Sequence, residues 1–182
     1  MADFKTAYKK TSLIEGGYVN NSSDHGGETI YGIARKFWPN WPGWAIVDSI
    51  KASGAKTAKD INKLADANPQ LEAYKLSFYK QNFWDVNKLD LINDQQLANN
   101  VYDFGVNSGV SKGAKTLQAA CCVEADGIIG PKTIACVNSG NAKAIYEKYN
   151  TLRSEFYHRL AANPGQLQFL KSWMSRVKPY IA

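Results

Sequence analysis

Glu15 stands four residues after Thr11 and seven after Tyr8, just before Gly16-Gly17. Helical spacing places its carboxyl on the face that the surrounding periodicity turns inward. Partial burial disfavours a carboxylate and raises its pKa, so the group can keep a proton near neutral pH and hand it to a departing glycosidic oxygen. The two glycines leave room for a sugar to approach the backbone. A glutamate closing a helix by bonding nearby backbone would occupy the same position, and position alone does not separate the two readings.

Glycoside chemistry usually needs a second carboxylate, as a base for water or as a nucleophile. Asp24 is the nearest in sequence, within Asp24-His25-Gly26-Gly27. It could face Glu15 across a cleft, or it could be a turn residue bonding its own backbone. Glu28 is the other nearby carboxylate. Thr29 is the better cleft candidate if it shares a face with Tyr31 and Ile33, because a hydroxyl there could position water. His25 could tune the pH response of such a site or simply be a solvated turn residue.

These groups need elements to hold them. Phe4, Ala7, Tyr8, Thr11 and Ile14 recur at helical steps behind Asp3, which predicts a capped helix over 3–15. Tyr18-Val19-Asn20 and Thr29-Ile30-Tyr31 flank the glycine-bearing turn and predict a small hairpin. Phe37-Trp38-Pro39-Asn40-Trp41-Pro42-Gly43-Trp44 cannot continue a helix through two prolines, and its tryptophans predict a packed or ligand-lining loop. Trp38, Trp41 and Trp44 could stack on sugar rings, although a Trp beside Pro is more often core; Phe83-Trp84-Asp85 is read the same way.

Helical spacing returns at Leu71, Tyr74 and Phe78, at Leu97, Val101 and Phe104, and at Ala114, Leu117 and Cys121 behind a Ser111 cap. Asp126-Gly127 with Gly130-Pro131 predicts a turn feeding a helix that starts at Pro131. Two longer helices should close the chain, one through Ile145, Tyr149, Leu152 and Phe156, the other through Leu170, Trp173, Met174 and Val177.

At 182 residues the chain suits one body or two small lobes. Its 45% apolar and 21% charged residues exclude disordered and fibrous classes. A net charge of +6 draws it toward polyanions, wall polymers and nucleic acid alike. Its lysines are scattered and no nucleic-acid motif is present, so a nucleic-acid partner is not expected. The start, Met1-Ala2-Asp3-Phe4-Lys5, shows neither a secretory leader nor a membrane span. Synthesis in the cytoplasm is therefore expected, with action on the cell wall or periplasm following release or non-classical export. Cys121, Cys122 and Cys136 make a poor disulfide framework and read as small buried apolar residues. His25 and His158 show no ligand spacing, so no metal and no cofactor are expected.

Glu15-Gly16-Gly17-Tyr18-Val19-Asn20, followed by Asp24, Gly26-Gly27-Glu28-Thr29 and Tyr31-Gly32-Ile33, resembles the motif of glycoside hydrolase family 108, N-acetylmuramidases of phages and bacteria that include secretion activator proteins. The resemblance implies Glu15 as catalytic acid, with Asp24 and Thr29 in the order seen in phage-type lysozymes, although the step between those two is one residue shorter. Asp103, Val106-Asn107-Ser108-Gly109, Leu117-Gln118 and Asp126-Gly127-Ile128-Ile129-Gly130-Pro131-Lys132-Thr133 look like the peptidoglycan-binding region that accompanies this enzyme. Asp103 and Asn107, four apart on one helical face, could line a cleft or cap a neighbouring element.

The resemblance implies a mainly α, lysozyme-like α+β fold with one small hairpin beside the cleft. It also implies a muramidase region at 1–90 and a peptidoglycan-binding region at 91–182, acting as a monomer on cell-wall peptidoglycan. Substrate contacts are expected from Tyr18, Tyr31, Asp103 and Asn107. The expected reaction is hydrolysis of the β-1,4 bond from N-acetylmuramic acid to N-acetylglucosamine. The alternative is a non-catalytic peptidoglycan-binding accessory of a secretion or lysis system.

Overall fold

The computed structural model describes residues 1–12, 16–20 and 27–181. Glu15, Asp24, His25 and the expected last turn of the first helix lie outside the described residues. Among the described residues the fold is mainly α, with three short antiparallel strands, and its backbone contacts divide into two compact units.

The smaller unit spans Thr11–Gln81. Its sheet has β1 (Val19–Asn20), β2 (Glu28–Ile30) and β3 (Ile33–Ala34) in that order. Val19 faces Thr29, and Ile30 faces Ile33. The first pair is the expected hairpin; β3 is an addition. It follows β2 through Tyr31 and Gly32, at φ 52° and 77°, the left-handed pair that a tight two-residue hairpin requires. Strands this short cannot stand alone. Ile30 and Ile33 are fully buried, and helices α2 (Gly43–Ala52), α3 (Ala58–Asp66) and α4 (Pro69–Tyr79) complete the unit.

α3 begins where the Thr57 side chain accepts from the Asp60 amide, and α4 where Asn68 accepts from Leu71 with Pro69 in the first turn. The tryptophan stretch is less of a loop than expected. Trp44 lies inside α2 and is buried, as is Trp41, the two rings meeting edge to face at 5.4 Å. Trp38 keeps 40% of its surface in solvent.

The larger unit comprises Met1–Lys10 and Asn82–Ala182. The first helix, α1 (Phe4–Ser12), is capped as expected, Asp3 accepting from the Thr6 amide at 2.8 Å. Phe4 packs edge to face on Trp84 and Tyr102, so Trp84 belongs to the core.

α5 (Gln95–Ser108) and α6 (Val110–Ala120) meet closely, because a Cβ at Gly113 would stand 3.1 Å from the Val101 carbonyl oxygen. The expected Ser111 cap is corrected: α6 starts two residues earlier, from Gly109 at φ 101°, with no side-chain cap. A glycine free to adopt that angle turns the chain more tightly than a serine cap would. α7 (Pro131–Ser139) starts at Pro131 as expected, and α8 (Ala142–Ala161) runs through Ile145, Tyr149 and Tyr157, all buried. The second closing helix is short, α9 (Leu170–Met174), and residues 177–181 follow without regular structure. Among the described residues, no helix is long and apolar enough to cross a membrane.

Candidate active site

The β1–β2 hairpin carries the described part of the motif, and a ring of polar ties holds it. The Tyr18 amide donates to Asn62 Oδ1 at 2.6 Å, tying the entry to β1 onto α3. A Cβ on Gly17 would collide with that same amide side chain, so glycine is needed there for packing against Asn62. Gly16 faces open space and keeps the approach to the backbone that its sequence position suggested. The Tyr18 hydroxyl donates to Glu28 Oε1 at 2.8 Å. Burial, reinforced by that carboxylate, raises the Tyr18 pKa and keeps the phenol protonated.

Glu28 is fully engaged. Lys51 Nζ lies 2.6 Å from one of its oxygens. Arg35 Nε lies 2.7 Å from the other, a contact of charge without an aligned hydrogen bond. Arg35 also donates to both oxygens of Asp48, at 2.6 and 3.1 Å. That fork, more than any other contact, raises the Arg35 pKa and lowers that of Asp48. The Lys51 pKa rises chiefly through its hydrogen bond to Glu28. A carboxylate between two cations and a phenol has both oxygens engaged in holding the hairpin to its neighbours.

Thr29 sits between Val19 and Ala34 in the sheet, half-buried, its hydroxyl 3.4 Å from the Gly27 carbonyl oxygen. Tyr31 and Ile33, expected to share its face, are buried more deeply. Tyr31 donates to Asp66 Oδ1 at 2.7 Å, and Lys75 Nζ lies 4.3 Å from its ring centre. Burial first, then Asp66, raises its pKa strongly. Its carbonyl accepts from the Tyr79 hydroxyl at 2.6 Å, securing the residue at positive φ.

Asp103 and Asn107, expected to share a face of α5, do so. Both meet α8 within the larger unit. Asp103 pairs with Arg153 and, at 2.6 Å, with Arg176 from the C-terminal segment. Asn107 Oδ1 accepts from Tyr157 at 3.0 Å. Arg153 is completely buried, bonded also to Asn100 and Tyr157 and stacked over the Phe104 ring at 4.9 Å. Burial is the largest single influence and works to lower its pKa, and Asp103, Tyr157 and Tyr149 together outweigh it to leave the pKa raised.

The 126–133 turn is built around Gln118, which is 2% exposed. Its amide donates to Asp126 Oδ1 at 2.7 Å and to the Ile128 carbonyl at 3.1 Å, and accepts from Gly127 at 2.8 Å. Among the described residues, no cluster of histidine, cysteine and carboxylate could hold a metal.

Asn62, Asp66, Tyr79, Arg35 and Lys51 were not read from the sequence. α3, which supplies Asn62 and Asp66, announced itself only by Thr57 placed three before Asp60 and by Ile61 and Ala65 four apart.

Residues 8–109 match the family described as Glycosyl hydrolase 108, and residues 112–178 match one described as Predicted Peptidoglycan domain. The structure of SagA from Brucella abortus is similar over 96% of this chain and 88% of that one, at 29% identity and a TM-score of 0.66. No curated protein matches this chain.

Proposed function

The chain belongs to glycosyl hydrolase family 108 and carries a peptidoglycan-domain region after it, and from that premise we propose an N-acetylmuramidase that cuts the β-1,4 bond between N-acetylmuramic acid and N-acetylglucosamine. Glu15 protonates the leaving oxygen, Asp24 activates or orients water, and Thr29 helps to position it. No cofactor enters this reaction.

The observation that carries the proposal is the commitment of Glu28. With that carboxylate held by Arg35, Lys51 and Tyr18, it is withdrawn from acid–base work. Glu15 and Asp24 then remain as the carboxylates on either side of β1 in the chain. The ties from Asn62 and Tyr79 support the same reading, because a hairpin of such short strands needs them to present side chains at a fixed spacing. Within this proposal Tyr18 and Tyr31 of the smaller unit, and Asp103 and Asn107 of the larger, each contact substrate. The protein acts on the cell wall, as a monomer, after leaving the cytoplasm.

The test is digestion of purified peptidoglycan by the native protein and by Glu15→Gln, following new reducing ends and new amino groups separately. Reducing ends with the native protein, and a loss of about 100-fold or more in the variant, are expected. New amino groups would assign the protein to peptidases or amidases. Wall binding without either product would make it a non-catalytic accessory.

A further inference from the structure

Outside the polar networks above, the three cysteines gather where α6 ends. Cys121 closes that helix, Cys122 follows in the left-handed region at φ 56°, and Cys136 lies in α7. All three are free thiols, and the expectation of buried apolar cysteines is corrected: Cys122 is exposed, while Cys121 and Cys136 are half-buried. Cys136 Sγ lies 3.4 Å from the Cys121 carbonyl oxygen. Cys122 points elsewhere, its sulfur 2.9 Å from Lys148 Nζ on α8.

We propose that Cys121 and Cys136 are a disulfide-forming site, closed by a low-molecular-weight disulfide oxidant, which staples the end of α6 to α7 and leaves Cys122 free. The geometry suits it: the Cys136 sulfur already stands 3.4 Å from the Cys121 carbonyl oxygen, and a disulfide joins residues whose Cα atoms lie within about 7 Å of each other. The step is thiol–disulfide exchange. Cys136, as thiolate, attacks one sulfur of the oxidant and expels the other as a thiolate. Cys121 then attacks the Cys136 sulfur and expels the second. One protein S–S bond forms, the oxidant's S–S bond is reduced to two thiols, and the protons of Cys121 and Cys136 pass to those leaving groups.

Burial and the neighbouring Cys136 raise the pKa of Cys121, so closure is slow near neutral pH and speeds up as pH rises. The closed loop is the 122–135 segment, whose 126–133 turn Gln118 already clamps. The bond would thus constrain the region that matches the peptidoglycan domain. It stands independently of which glycan bond the protein cuts.

The full chain, folded and reduced, is incubated with oxidised glutathione at several pH values, alkylated, and mapped by peptide mass spectrometry. The expected product is a peptide cross-linked between Cys121 and Cys136, with Cys122 alkylated. It should form faster at higher pH and should still form in Cys122→Ser. Loop closure of about 15 residues should raise the melting temperature by on the order of 10 °C over the reduced protein, a rise absent from Cys136→Ser. A glutathione adduct confined to Cys122, a cross-link through Cys122, or three thiols still free after prolonged oxidation would each overturn the proposal.

Discussion

The Glu28 cluster of the smaller unit and the Arg153 cluster of the larger both join opposite charges, and they do different work. Around Glu28 the carboxylate is sheltered, but Arg35, Lys51 and Asp48 keep 32%, 35% and 49% of their side chains in water. Around Arg153 the guanidinium is 1% exposed and Asp103 16%. Water weakens the first set of attractions, so its value lies in aligning a sheet too short to align itself. The second set has no water to fall back on. Every partner of Arg153 is compulsory, because an unpaired charge there would pay its full desolvation cost.

Removing the buried charge partner should break this contrast most severely. Arg153→Ala takes from Asp103 one of its two arginines, removes a partner each from Asn100 and Tyr157 and leaves a buried void, and should cost about 3–5 kcal/mol in urea unfolding. If it cost no more than a surface pair, the distinction between the clusters would be lost.

In the smaller unit the largest effect should come from backbone geometry. Gly32→Ala places a Cβ at φ 77° and 2.8 Å from the Tyr79 hydroxyl. Strain and the displaced hydrogen bond together should cost about 2–3 kcal/mol. Tyr79→Phe removes the hydroxyl that donates to the Tyr31 carbonyl and should cost about 1–2 kcal/mol. Both should lower hydrolysis more than they lower wall binding, which a paired activity and pull-down assay would read.

The smallest effect should be that of pH on the exposed end of the Glu28 cluster. The Asp48 pKa is lowered below 3.8, chiefly by the Arg35 hydrogen bond. A carboxylate bound fewer protons when folded than when unfolded stabilises the fold above its unfolded pKa, and loses that contribution as pH falls through its lower folded value. Unfolding midpoints of native protein and Asp48→Asn should therefore differ by a constant amount above about pH 5 and converge as pH falls through the lowered Asp48 value. A difference that grew on acidification would reverse the sign of this coupling.

Local chemistry was readable from the chain. Asp3 before Phe4, Pro131 after Gly130, and the helical spacing of Leu97, Val101 and Phe104 each appear in the structure where the sequence put them. Such features depend on neighbours within one turn, so a one-dimensional pattern contains them. The hairpin was readable for the same reason, through its glycines and its alternating flanks. Ser111 failed because Gly109 offered a tighter local solution, and the tryptophan stretch because Trp44 satisfies helix and core together. The three cysteines gave only a count, which says nothing of which sulfur meets which.

The sequence by itself determined the motif around Glu15, the helical framework and the turn before Pro131, since each is written in residues close along the chain. Only the tertiary structure decided that Glu28 pairs with Lys51 and Arg35, that Asn62 dictates Gly17, that Asp103 belongs to Arg153 and Arg176, and that the Cys136 sulfur meets the backbone of Cys121. These choices join residues many positions apart. Burial and charge select such partners only when the chain is folded, and no spacing rule carries them.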